Sequence, residues 1–174
     1  MASGNTLIVV GVASGSPPGS SSAELTSLTG GASPTETIVL ANFDSGTVEY
    51  WDFPDLVLPA AYAGGGLTLT LRWIAASATS GNVIWGAAIR RDPDDAEDWD
   101  STAHSYDFNA SSAVAAPSAV GETSYDTITF TDGADMDSLA AGEGFCLRIR
   151  RDASNGSDTM SGDARLWTVT IKET

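Results

Sequence analysis

Leu67-Thr-Leu-Thr-Leu-Arg-Trp-Ile74, Ala75-Ala-Ser-Ala-Thr-Ser-Gly81 and Asn82-Val-Ile-Trp-Gly-Ala-Ala-Ile-Arg-Arg91 make up the stretch that decides the fold. Leu67, Leu69, Leu71 and Trp73 share one face of an extended strand, and Thr68, Thr70 and Arg72 share the other, which is the period-two signature of a half-buried strand. Val83, Trp85, Ala87 and Ile89 repeat the pattern after a small-residue connection centred on Ser80-Gly81-Asn82. Two such runs around a Gly-containing loop predict an antiparallel hairpin. Each tryptophan carries roughly 150–250 Å² of buriable surface, so the pair is expected at the centre of a β-sandwich core.

Composition bounds what such a core serves. The chain has 174 residues, enough for one well-packed domain. Eight basic residues against 23 acidic ones give a net charge of −15. A surface of that sign repels nucleic-acid backbones and anionic lipid, so neither is expected as a direct partner. The lone Cys146 excludes an intrachain disulfide and a cysteine zinc site, and is expected as a small structural residue. No apolar run approaches the ~18–20 residues of a membrane-spanning helix. The start lacks the basic region of a secretory signal, so use without Sec export is expected.

Outside the central stretch the chain divides. Residues 1–36 hold one β-prone run, Leu7, Ile8, Val9 and Val10, then Ser/Gly/Pro/Thr-rich segments too poor in large apolar residues to pack a core. They are expected either as a disordered or surface-hugging tail or as a flexible N-terminal arm whose apolar strand, Leu7–Val12, adds to a sheet edge on a neighbouring subunit. Residues 37–174 alternate repeatedly: Thr37–Ala41, Val48–Phe53, the central pair, Asp126–Thr131, Phe145–Arg151 and Arg165–Lys172, with turn signals between them. A turn or two of helix fits Asp135–Ala141. The prediction is an all-β fold, a jelly-roll-like antiparallel β-sandwich.

Little of this is built for turnover. His104 has no nucleophile motif beside it, Gly64-Gly65-Gly66 lacks the Lys-Ser/Thr of a phosphate loop, and no carboxylate pair stands out by spacing. Six carboxylates crowd residues 92–100, and Asp152, Asn155 and Asp158 share a second loop. Neither matches the twelve-residue calcium-loop pattern, and both are expected as solvated rims with no cofactor. Arg90, Arg91, Arg148, Arg150 and Arg151, on two strands that each end Ile-Arg-Arg-Asp, are expected to pair with carboxylates, by default within the chain. Arg90, Arg91, Arg150 and Arg151 are candidates for subunit contacts as well.

Leu58–Trp73, Ala78–Gly86 and Leu147–Ala164 resemble small virion proteins of tailed bacteriophages, over roughly residues 37–174. The resemblance implies a non-enzymatic capsid decoration (cement) protein of the virion surface, assembled in the host cytoplasm. Its implied partners are the major capsid protein and two further copies of itself in a homotrimer. The alternative is a tail- or fibre-associated adhesion module that binds host surface glycans, with Trp51, Trp99 or Tyr106 stacking on sugar rings.

Overall fold

The computed structural model describes residues 4–94, 98–100 and 104–174, so Asp95 and Glu97 of the acidic loop fall outside it. Twelve strands are assigned among the described residues. They are β1 (Thr6–Gly11), β2 (Glu24–Gly30), β3 (Glu36–Phe43), β4 (Glu49–Val57), β5 (Leu67–Ala75), β6 (Asn82–Val83), β7 (Trp85–Asp92), β8 (Asn109–Ala110), β9 (Val114–Ala115), β10 (Thr123–Phe130), β11 (Gly144–Arg151) and β12 (Ala164–Glu173). The larger sheet runs β10-β5-β12-β3-β2, with β1 also on β12; the smaller runs β4-β11-β7-β8, and β6 pairs with β9. Every pairing between these strands is antiparallel. The chain is a jelly-roll-like β-sandwich.

The alternation places the core as expected. Leu67, Leu69, Leu71 and Trp73 from β5 meet Trp85, Ala87 and Ile89 from β7, Leu147 and Ile149 from β11, and Trp51 and Phe53 from β4. The predicted hairpin, however, does not form. β5 lies in the larger sheet and β7 in the smaller, so the two runs face each other across the interior. Trp73 and Trp85 meet edge-on there, centroids 6.0 Å apart, and Phe43 meets Trp85 at 5.1 Å. The connection wraps over the end of the sandwich because another loop holds it: Ala76 N–H donates to the Asp163 carbonyl, and the Thr159 and Met160 N–H groups donate to the Asn82 carbonyl. Gly81 has φ +88°, and a Cβ there would strike the Thr159 carbonyl and the Met160 backbone. That close approach requires glycine.

In the N-terminal segment the intersubunit arm is the second correction, and the chain there hugs its own sheets. Thr6–Gly11 does not await a neighbouring subunit: it pairs with Thr168–Lys172 of its own chain, and Val10 is buried in the core cluster. Glu24–Gly30 pairs with β3 from Glu36 to Asn42. The Ser/Pro/Gly connection between them is pinned to the smaller sheet, where Ser16 and Asp52 exchange backbone hydrogen bonds of 2.8 and 3.0 Å and Tyr50 bonds to Ser21 and Ala23. Gly15 lets it approach, since a Cβ there would overlap the Trp51 indole and the Asp52 carbonyl. Backbone donors and acceptors are the same whatever the side chains, so a composition too polar for a core still anchors by its main chain. The boundary after residue 36 therefore falls inside the larger sheet, one residue into β3.

Two smaller differences complete the picture. β4 continues through Pro54 to Val57, beyond the Val48–Phe53 run read from the sequence, and Asp135–Ala141 contributes only a 3-10 turn, Ala134–Met136. Left-handed Asp137 and Ser138 end that turn, φ 54° and 55°.

Asp126 is a buried acid on the core-facing side of β10. Its Oδ1 accepts the Thr127 N–H at 2.7 Å, while Oδ2 has no hydrogen-bond partner. Burial raises its pKa above the ordinary aspartate value. The folded state thus holds this proton more tightly than the unfolded chain, and the group's contribution to stability falls as pH rises through that window. Asp126→Asn is expected to stabilise the protein at pH 7 by about 1 kcal/mol and to leave it nearly unchanged at pH 3. Urea unfolding of parent and variant at the two pH values measures the difference.

Candidate functional site

β12 changes partners part-way along. Ala164–Leu166 pair with β3, whereas Thr168–Lys172 pair with β1. At the change, Trp167 is also the residue skipped in the register with β5, between Leu166 and Thr168. Such a bulge re-aims a side chain, and here the indole stands at the fork where the β2–β3 hairpin parts from β12. Cross-strand pairs Leu28–Ile38 and Gly30–Glu36, with the tip residues Gly31 and Pro34, form the opposite wall. The result is a groove of about 250 Å³ with a predominantly apolar lining. Glu36 is the one carboxylate among its lining residues.

The outer face of the larger sheet continues the groove across the strands. Arg72 of β5 lies over the Trp167 ring with Cζ 3.5 Å from its centroid. Directly opposite Arg72 in register is Tyr125 of β10, 58% exposed. Residues facing each other across an antiparallel pair project from the same side of the sheet. Tyr125, Arg72 and Trp167 therefore form a row over adjacent strands ~4.8 Å apart, leading to the groove.

The residues expected from sequence lie elsewhere, mostly on the smaller sheet. Trp51 is 1% exposed and belongs to the core, which removes it as a sugar platform. Tyr106 and Phe108 are half-buried over the outside of that sheet: the Arg148 guanidinium lies 4.0 Å from the Tyr106 ring and Arg150 lies 4.3 Å from Phe108. Tyr106 donates to the Cys146 sulfur at 3.5 Å, and burial pushes its pKa up to about 12. Arg148 itself forks onto Asp52 through two 2.7 Å hydrogen bonds. Trp99 is 53% exposed, but its Nε1 donates to Asp92 and Arg90 lies over its ring at 4.6 Å.

Nor do the four candidate contact arginines form a surface patch. Arg151 is fully buried and Arg90 is 4% exposed. Arg91 lies 3.8 Å from Glu143, and Arg150 donates to Asp152 at 3.2 Å. Of the apolar strand, Val10 is buried, Leu7 and Ile8 pack against the core, and Val9 alone is strongly exposed. Asp152 and Asp158 turn to arginines, and no cluster of three metal-ligating side chains occurs among the described residues.

No protein-family model matches the chain, and no curated protein matches it. Solved structures do. The CBM22-2 xylan-binding domain of Xyn10C from Paenibacillus barcinonensis superposes with a TM-score of 0.51 at 10% identity, covering 92% of each chain. The CBM22-1 domain of the same protein gives 0.47 at 8% identity over 99% of this chain and 96% of its own. The C-terminal CBM6 of LamC from Zobellia galactanivorans gives 0.41 at 12% over 97% and 99%. At such identities the CBM22-2 likeness shows a shared fold.

Proposed function

We propose that the protein is a non-catalytic carbohydrate-binding module, of the tail- or fibre-associated adhesion kind, and that it takes a glycan into the groove beside Trp167. The observation that carries this reading is the groove itself: a tryptophan displaced from its strand by a bulge, facing an apolar hairpin wall with one carboxylate and two glycines whose backbone is open to a ligand. Concave apolar sites with a few convergent polar groups are where small ligands bind, and an indole offers a flat apolar face to a sugar ring. A xylan-binding domain with the same fold supports it from outside the chain. With a single lining carboxylate, the groove lacks the acid pair that glycoside hydrolysis uses.

A glycan array probed with the labelled protein tests the proposal. Trp167→Ala is expected to weaken binding by about 30-fold or more, the effect of losing a central tryptophan anchor, without unfolding the sandwich. Retention that is unchanged in Trp167→Ala overturns the groove as the site.

Capsid decoration is the second reading. Leu25 and Val39 lie on the core-facing side of the β2–β3 hairpin yet are 55% and 37% exposed, an apolar strip suited to a subunit contact. Its attachment no longer has a free arm, because Leu7–Val10 is paired within the chain. Copy number in purified virions separates the readings: hundreds per particle favour decoration by trimers on the major capsid protein, a handful favour adhesion.

A further inference from the structure

Arg72 is placed unlike the other arginines. Arg91, Arg148, Arg150 and Arg151 each face a carboxylate of this chain, and Arg165 donates to Asn42 at 3.0 Å. Arg72 has the Trp167 ring against its flat face and no hydrogen-bonded or ion-paired partner among the described residues. Its Nε is buried and unsatisfied. A buried donor left without an acceptor is costly, whereas an exposed carboxylate such as Glu36 is satisfied by water. In a chain with 23 acidic residues, a guanidinium without an anion is a notable omission. The stacking holds the guanidinium against the Trp167 ring, with Tyr125 opposite Arg72 on one side and the groove beyond Trp167 on the other.

We propose that Arg72 is the specificity-determining residue of the groove and that it selects glycans bearing a carboxylate, the uronic or sialic acid class, over neutral ones. This rests on the reading of the groove as a glycan site. The sugar ring lies against Trp167 and the carboxylate takes the terminal guanidinium nitrogens of Arg72, the part of the side chain that is not buried. Tyr125 flanks the next position along the row. Lys172, two residues beyond Thr170 on the same face of β12, adds positive charge further along the sheet. The net charge of −15 does not prevent this, because at physiological salt a charge is screened beyond about 8 Å.

The test is an array of uronate- and sialate-bearing glycans printed beside the same glycans with their carboxyls reduced to alcohols. The parent is expected to hold the acidic forms about tenfold or more tighter, the size of a charge-assisted forked hydrogen bond. Arg72→Gln should abolish that preference, while Arg72→Lys should keep part of it. Circular dichroism shows whether each variant is folded, and binding of neutral glycans by Arg72→Gln shows that its groove is intact. Equal binding of acidic and reduced forms, with both lost in Trp167→Ala, overturns the selectivity and leaves the groove reading standing. No retention of any glycan overturns both.

Discussion

Replacing Arg151 by Met is expected to lower the unfolding free energy by about 3–5 kcal/mol, the effect of stripping one partner from a buried ion pair. The side chain is fully buried at the end of β11 and holds the Asp158 carboxylate, whose side chain is 1% exposed, by hydrogen bonds of 3.0 and 2.7 Å. It also donates to the Gly162 and Met160 carbonyls. Asp158 in turn accepts the Ile84 N–H at 3.0 Å. One guanidinium thus closes the loop between β11 and β12 and fastens it to the crossing between the sheets. Urea unfolding measures the loss. Adding Asp158→Asn removes the stranded charge and should recover part of it, whereas a double variant no better than Arg151→Met would show that the carboxylate is not what the mutation orphans.

The second large effect is expected at the centre of the core. Trp85→Ala removes the ring that touches both Phe43 and Trp73, and should cost about 3–5 kcal/mol. For a domain of this size that lowers the thermal midpoint by roughly 10 °C. Trp73→Ala should cost a similar amount, and the double variant less than the sum, because each single change already breaks the one Trp–Trp contact; a double-mutant cycle should give a coupling of about 0.5–1.5 kcal/mol. Strict additivity would mean that the rings are not in contact.

Alternation along β5, β7, β11 and β12 was legible because inward and outward residues differ in kind, and it placed Trp73, Trp85, Phe145, Leu147 and Ile149 in the core. Which strand pairs with which was not. The run through Leu67 and the run through Val83 carry the same inward pattern whether they lie side by side or opposed, and only the crossing loop held to Thr159–Asp163 decides it. The N-terminal segment failed for a different reason: Ser16, Ser21 and Ala23 attach through main-chain groups that composition does not reveal. Trp167 shares its period-two phase with Val169 and Ile171, and a bulge that turns it outward leaves no mark in local spacing. Arg151 is in phase with inward Phe145, Leu147 and Ile149, but a charged residue at a strand's end reads as an exit to solvent, and its burial depends on Asp158 seven residues later.

The pairing of β1 with β12 sets how the protein meets a pull. Thr6 faces Lys172, and the Gly4 N–H reaches the Glu173 carbonyl, so the two ends of the described chain lie side by side. Tension applied between them would open the β1–β12 ladder rung by rung, like a zipper, because the hydrogen bonds of antiparallel strands lie across the strands. Tension entering at Trp167 and leaving at Thr174 takes another route. Both lie at β12, seven residues apart, in a strand clasped on both sides by β5 and β1. A ligand held in the groove would tug on β12 itself, and the tryptophan core would be bypassed.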